Sequence, residues 1–64
     1  MILDLNKLRL VQAEQCLSIN EIVCKTGLSK ATVWRTINGK TKATPKTIGL
    51  IAKALKVDVT EIIK

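Results

Sequence analysis

Gly27-Leu28-Ser29 joins a helix stop to a helix start with no room between them. Glycine supplies the left-handed conformation that commonly closes a helix. Serine offers the side-chain oxygen that opens one. A corner this tight predicts two short helices held at a sharp angle. The first is capped at Ser18, where Ser18-Ile19-Asn20-Glu21 spells a capping box. The second runs from about Ser29 to about Asn38.

The same punctuation divides the rest of the chain. Leu5, Leu8 and Val11 fall at helical spacing, with Asp4 as cap, and predict a first helix from Leu5 to Gln15. Gly39 to Ala43 is a loop. Thr44-Pro45 opens a fourth helix, because proline tolerates the first helical position, where an N–H has no partner anyway. Ile48, Ile51, Ala52 and Leu55 form its buried stripe. Asp58-Val59-Thr60-Glu61 is a second capping box and predicts a short fifth helix carrying Val59, Ile62 and Ile63. No stretch alternates at period two, so no strand is expected. The expected fold is all-α, a compact bundle of five helices, with residues 1–64 forming a single domain.

Trp34 is the only aromatic residue among 64, so the core must be aliphatic. One aromatic is also too few for a platform that stacks unpaired bases, which counts against single-strand or RNA-loop recognition. No stretch reaches the roughly 18 apolar residues of a membrane span. No signal-peptide pattern opens the chain, and a cytoplasmic location is expected. Cys16 and Cys24 have no His to complete a zinc site, so two reduced thiols and no metal or cofactor are expected.

Charge is segregated. Eight of the eleven Lys and Arg lie between Ile22 and Val57, a stretch without Asp or Glu, and the chain carries a net +6. A cation-only surface around two short helices points to a polyanion. Duplex DNA is the first candidate, since neutralised phosphates release counterions and supply most non-specific affinity.

The third helix should have two faces. Val33, Thr36 and Ile37 fall on the core side; Ala31, Trp34, Arg35 and Asn38 fall on the other, with Lys30 at the edge. A recognition helix meets base edges mainly with its N-terminal residues. Arg35 can donate two hydrogen bonds to guanine O6 and N7, and Lys30 can make a similar contact as a point charge. Ala31 and the methyl of Thr32 can touch a thymine methyl. Trp34 has two open placements, against the DNA wall or a thymine methyl, or folded back over the second helix or the following loop. Asn38, Lys40 and Lys42 are placed for phosphates, which position a protein without reading sequence. Thr41 and Thr44 can add neutral contacts.

These residues resemble the phage Cro and repressor family of helix-turn-helix domains, the XRE type. The likeness runs from about Leu8 to Ile63 and rests on Leu17-Ser18, Gly27-Leu28-Ser29, Val33, Asn38 to Lys42, and Ala52 to Val57. The resemblance implies a five-helix, lambda-repressor-like DNA-binding domain that acts as a homodimer on a palindromic operator. It puts Lys30, Ala31 and Arg35 where members read bases, with Thr32 and Trp34 beside them. It puts Ser18, Asn38, Lys40 and Lys42 where members hold phosphates. The chain departs from the family pattern at Ile19, where a bracing glutamine is frequent. It departs again at Gln12 and Ile37, where a buried Arg–Glu pair is frequent, and at Cys16, where glycine usually ends the first helix.

The leading expectation is therefore a sequence-specific double-stranded DNA-binding transcriptional regulator, a small repressor. The competing class is an antitoxin or protein-interaction adaptor using the same fold. Ile2, Leu3, Leu10, Leu50 and Ile63 exceed the obvious needs of the core; they either extend it or form a self-association patch. If the chain is the complete protein, no domain is left over for sensing, and regulation by a bound small molecule is not expected. An enzyme is disfavoured: the chain has no His or Tyr, its acids lie far apart, and neither Cys has a base to activate it. A membrane-surface role is disfavoured too, since the apolar stripes are only wide enough to pack on one another.

Overall fold

A hydrogen-bonding side chain opens each helix in the computed structural model, which describes residues 2–64. Asp4 Oδ1 accepts from the N–H groups of Asn6 and Lys7 and opens α1 (Leu5–Gln15). Ser18 opens α2 (Ile19–Thr26) through the capping box: its Oγ accepts from Glu21 N–H, and Glu21 Oε1 accepts from Ser18 N–H. Ser29 Oγ accepts from Thr32 N–H and opens α3 (Lys30–Ile37). Thr44 does the same through Thr47 N–H for α4 (Pro45–Ala54), with proline in the first turn. These bonds take up donors that the first turn of a helix leaves without a partner.

The C-terminal ends are closed as regularly as the starts. Cys16 turns left-handed at φ 55°; its N–H donates to Ala13 O and that of Leu17 to Gln12 O. α3 repeats this pair of bonds around Gly39 at φ 70°, and α4 repeats it around Lys56 at φ 58°. This is the Schellman closure, and the apolar residue that follows it characteristically turns inward. Leu17 and Val57 do so, both packing against the core. α2 ends on the single bond from Gly27 N–H to Val23 O, 2.9 Å.

The corner after α2 has a second tie. Thr26 Oγ1 donates to Ile22 O at 2.7 Å and accepts from Leu28 N–H at 3.2 Å. Leu28 packs against the core, and Ser29 then caps α3. α2 packs on α3 and on α4, while α1 packs on α3. The shared core is Leu8, Ile22, Val33, Ile37, Ile48, Ile51, Ala52, Leu55 and Ile62, aliphatic throughout. Gln12 Nε2 donates to Leu17 O at 3.0 Å and braces the α1–α2 connection, and Ile37 is buried, so neither position calls for a charged partner.

The last element differs from the expected fifth helix. Val59–Glu61 is a single 3-10 turn, and Asp58 makes no side-chain cap bond. The backbone after this turn bonds to the N-terminal segment: Asp4 N–H donates to Ile62 O at 2.8 Å and Lys64 N–H to Ile2 O at 2.9 Å. These bonds flank an isolated antiparallel bridge between Leu3 and Ile63, the one extended pairing among the described residues. A new helix of a few residues would meet the cost of nucleation without enough following bonds. Pairing with the N-terminal segment satisfies Ile62 O and Lys64 N–H and leaves Ile62 fully buried. The described residues thus form four α-helices and a 3-10 turn. None of these helices is long and apolar enough to cross a membrane.

Two stability outcomes follow. Ile51 is completely buried, so Ile51→Ala should cost about 2–5 kcal/mol. That is a large share of the ~5–15 kcal/mol typical of a whole domain, and it is measured as a fall in the urea midpoint. Cys16→Gly and Lys56→Gly should each stabilise. Leaving the left-handed region to glycine relieves ~1–2 kcal/mol, and glycine's extra chain entropy takes back ~0.5–1 kcal/mol. The expected net gain is up to about 1.5 kcal/mol per site, with an unchanged denaturant slope.

Candidate functional site

α3 divides cleanly. Val33, Thr36 and Ile37 are buried, and Lys30, Ala31, Trp34 and Arg35 are exposed, as the 3.6-residue period requires. The inner face holds the helix against α1 and α2, and the cap at Ser29 fixes where it starts. The outer face therefore carries two cations, one small apolar residue and one indole on a rigid element. None of the residues from Ile22 to Val57 is acidic, so these cations have no carboxylate neighbour on α3, α4 or the loop between them.

Trp34 keeps 47% of its surface in water, so its own molecule covers only about half of the ring. Its carbonyl accepts from Asn38 N–H at 3.0 Å and from Asn38 Nδ2 at 2.8 Å. Asn38 is half-buried and closes the helix with one amide proton already used. Thr32 is half-buried as well, its hydroxyl accepting from Ser29 Oγ at 2.8 Å.

The loop after α3 is set by Gly39. An added Cβ there would stand 2.7 Å from Leu5 Cδ1, so the start of α1 rests directly on the end of α3. Lys40 follows, exposed, its N–H donating to Arg35 O at 2.8 Å. Thr41 and Lys42 are exposed and line an open groove of about 700 Å³. The opposite wall of that groove is the N-terminal segment Ile2 to Asn6, and buried Thr36 contributes to its lining. Nothing local in the sequence signals this groove, because its walls come from the N-terminal segment and the loop after α3, far apart along the chain.

The expected site residues thus form one continuous run on α3 and the loop behind it, with Ser18 apart at the start of α2. Ser18 also differs chemically. Its hydroxyl donates to Glu21 Oε1 at 3.2 Å while accepting from Glu21 N–H at the same distance. Both its bonding capacity and the adjacent carboxylate work against a phosphate at this hydroxyl. The residue that sequence reasoning missed is Thr26, whose hydroxyl ties α2 to the corner and so sets the position of α3. A threonine one residue before Gly27 was the available signal.

The five apolar residues in excess of the core's obvious needs fall apart, with Leu50 half-buried on α4. Leu3 and Ile63 pack against the core, and Ile2 and Leu10 are exposed at 65% and 64%. Those two line different grooves, Leu10 a smaller one of about 250 Å³ beside Glu14 and Glu61. Both cysteines are free and exposed. Among the described residues no three His, Cys, Asp or Glu come together in a way that could hold a metal ion.

No protein-family model, curated protein or solved structure matches the chain.

Ser18→Ala should lower stability by about 1 kcal/mol through loss of the capping box. Thermal unfolding measures that loss. Polyanion affinity, compared where both proteins are folded, should stay unchanged, and a matching drop in affinity would instead return Ser18 to the binding surface.

Proposed function

We propose that this chain is a sequence-specific double-stranded DNA-binding transcriptional regulator, a small repressor of helix-turn-helix type that lays α3 in the major groove. The observation that carries this reading is the outer face of α3: Lys30, Ala31, Trp34 and Arg35 exposed on a helix whose other side is locked into the core. An α-helix with its side chains is about 10–12 Å across, and the major groove of B-DNA is about 12 Å wide. The α2–α3 corner is the motif of this class. The likeness to the Cro and repressor family adds the expectation of a homodimer on a palindromic operator, with the two α3 helices about 34–36 Å apart.

In this reading the residues divide their work. Arg35 presents two parallel N–H donors to guanine O6 and N7, and Lys30 presents a cation to neighbouring acceptors. Lys40 and Lys42, with Thr41 and the free part of the Asn38 amide, hold phosphates and set the register of α3. The reading involves no catalysis and no cofactor. It places the chain in the cytoplasm, where both the DNA and two reduced thiols belong.

Two substitutions separate reading from holding. Arg35→Ala should lose about 1–3 kcal/mol of discrimination at one base position. Lys40→Ala should weaken binding to all duplexes alike and reduce the salt slope by about one. Both are measured by duplex titration across a salt series. If both variants weaken every duplex equally, Arg35 has no reading role, and if affinity does not change with salt, the phosphate contacts are absent.

A further inference from the structure

We infer that α3 recognises a pyrimidine carrying a 5-methyl group next to a guanine, with Trp34 and Ala31 meeting the methyl and Arg35 the guanine; this rests on the DNA-binding reading above. Among the described residues three large apolar side chains are markedly exposed, Ile2, Leu10 and Trp34. Only Trp34 lies inside the acid-free stretch and on the outer face of α3. Long side chains on a helix lean toward its N-terminus and cover the turn before their own Cα. An indole with that lean lies over the turn of Lys30 and Ala31, where Ala31 is exposed and small. The result is one apolar patch on the N-terminal half of the helix, bounded by the cations Lys30 and Arg35.

Duplex DNA offers little to such a patch. Base edges in the major groove present donors and acceptors, and their one apolar group is the C5-methyl of thymine. 5-Methylcytosine carries the same methyl in the same place, and uracil and cytosine lack it. The sugar–phosphate wall is a poorer match, because an indole brings a single N–H donor to its charged oxygens. Arg35 is the next residue on the same exposed face, and its fork fits guanine O6 and N7. An apolar patch beside a planar donor pair thus complements a methylated pyrimidine–guanine step. It also makes binding sensitive to cytosine methylation.

The test begins with duplexes enriched by the unaltered chain from a random library. Each is resynthesised with deoxyuridine at single thymines and with 5-methylcytosine at single cytosines. Affinity is followed through the fluorescence of Trp34, the only aromatic residue in the chain, and independently by gel shift. At one thymine beside guanine, removing the methyl should weaken binding about three- to fivefold, the worth of one buried methyl. With the pair at that position replaced by cytosine–guanine, 5-methylcytosine should outbind cytosine by a similar factor. In Trp34→Ala, shown by circular dichroism to be helical, both differences should vanish in the gel shift. The base replacements on the unaltered chain decide the matter even if that variant does not fold. Equal affinity for thymine and deoxyuridine duplexes overturns the inference while DNA binding stands, as does an undiminished difference in folded Trp34→Ala. If no duplex is enriched, the DNA-binding reading fails and the inference with it.

Discussion

Helices of eight to eleven residues do not persist in water by themselves, so this molecule depends on how its helix ends are closed. Side-chain oxygens of Asp4, Ser18, Ser29 and Thr44 take the first-turn donors, and left-handed residues at Cys16, Gly27, Gly39 and Lys56 take the last-turn carbonyls. Each closure also aims the chain into the next element. Leu17, Leu28 and Val57, just past three of those turns, pack against the core. The aliphatic cluster at the centre can be small because the ends leave few backbone groups unpaired.

The starts were legible because they are local. A serine or threonine three residues before a bonded N–H is a pattern that sequence displays directly, and the apolar stripes of α3 and α4 were placed correctly by their period. Two kinds of feature were not legible. Left-handed closure at Lys56 carries no glycine signal, and at Cys16 only the family likeness hinted at it; the pair of carbonyl bonds and the inward residue beyond hold an ordinary side chain in a conformation it resists. The tail is the other case. Asp58 to Glu61 matches a capping box, yet no cap bond forms: Glu61 N–H donates to Asp58 O at 3.0 Å, and Ile62 and Lys64 bond to Asp4 and Ile2 at the far end of the chain. Sequence proximity could not reveal a competitor so distant along the chain.

The candidate site shows the same division. The identity of the outer face of α3 followed from periodicity, and its cations from composition. The capping box of Ser18 with Glu21 was legible, but the donation of that hydroxyl to Glu21 Oε1 and the half-exposed state of Trp34 required coordinates. The groove beside Thr41 and Lys42 likewise draws its walls from segments far apart along the chain. What unites the site is that one helix serves both purposes: its inner face is an anchor in the core, and its outer face carries charge with no acidic residue on α3, α4 or the loop between them.

The central claim is that the outer face of α3 and the loop behind it meet duplex DNA. Mapping backbone amide shifts of the isotopically labelled chain during titration with a duplex tests it most directly. The account predicts that the largest changes fall on Lys30 to Arg35 and Asn38 to Lys42, with the α1 surface around Leu10 and Glu14 unmoved. Changes centred on that α1 surface and the 3-10 turn, with α3 silent, would contradict it.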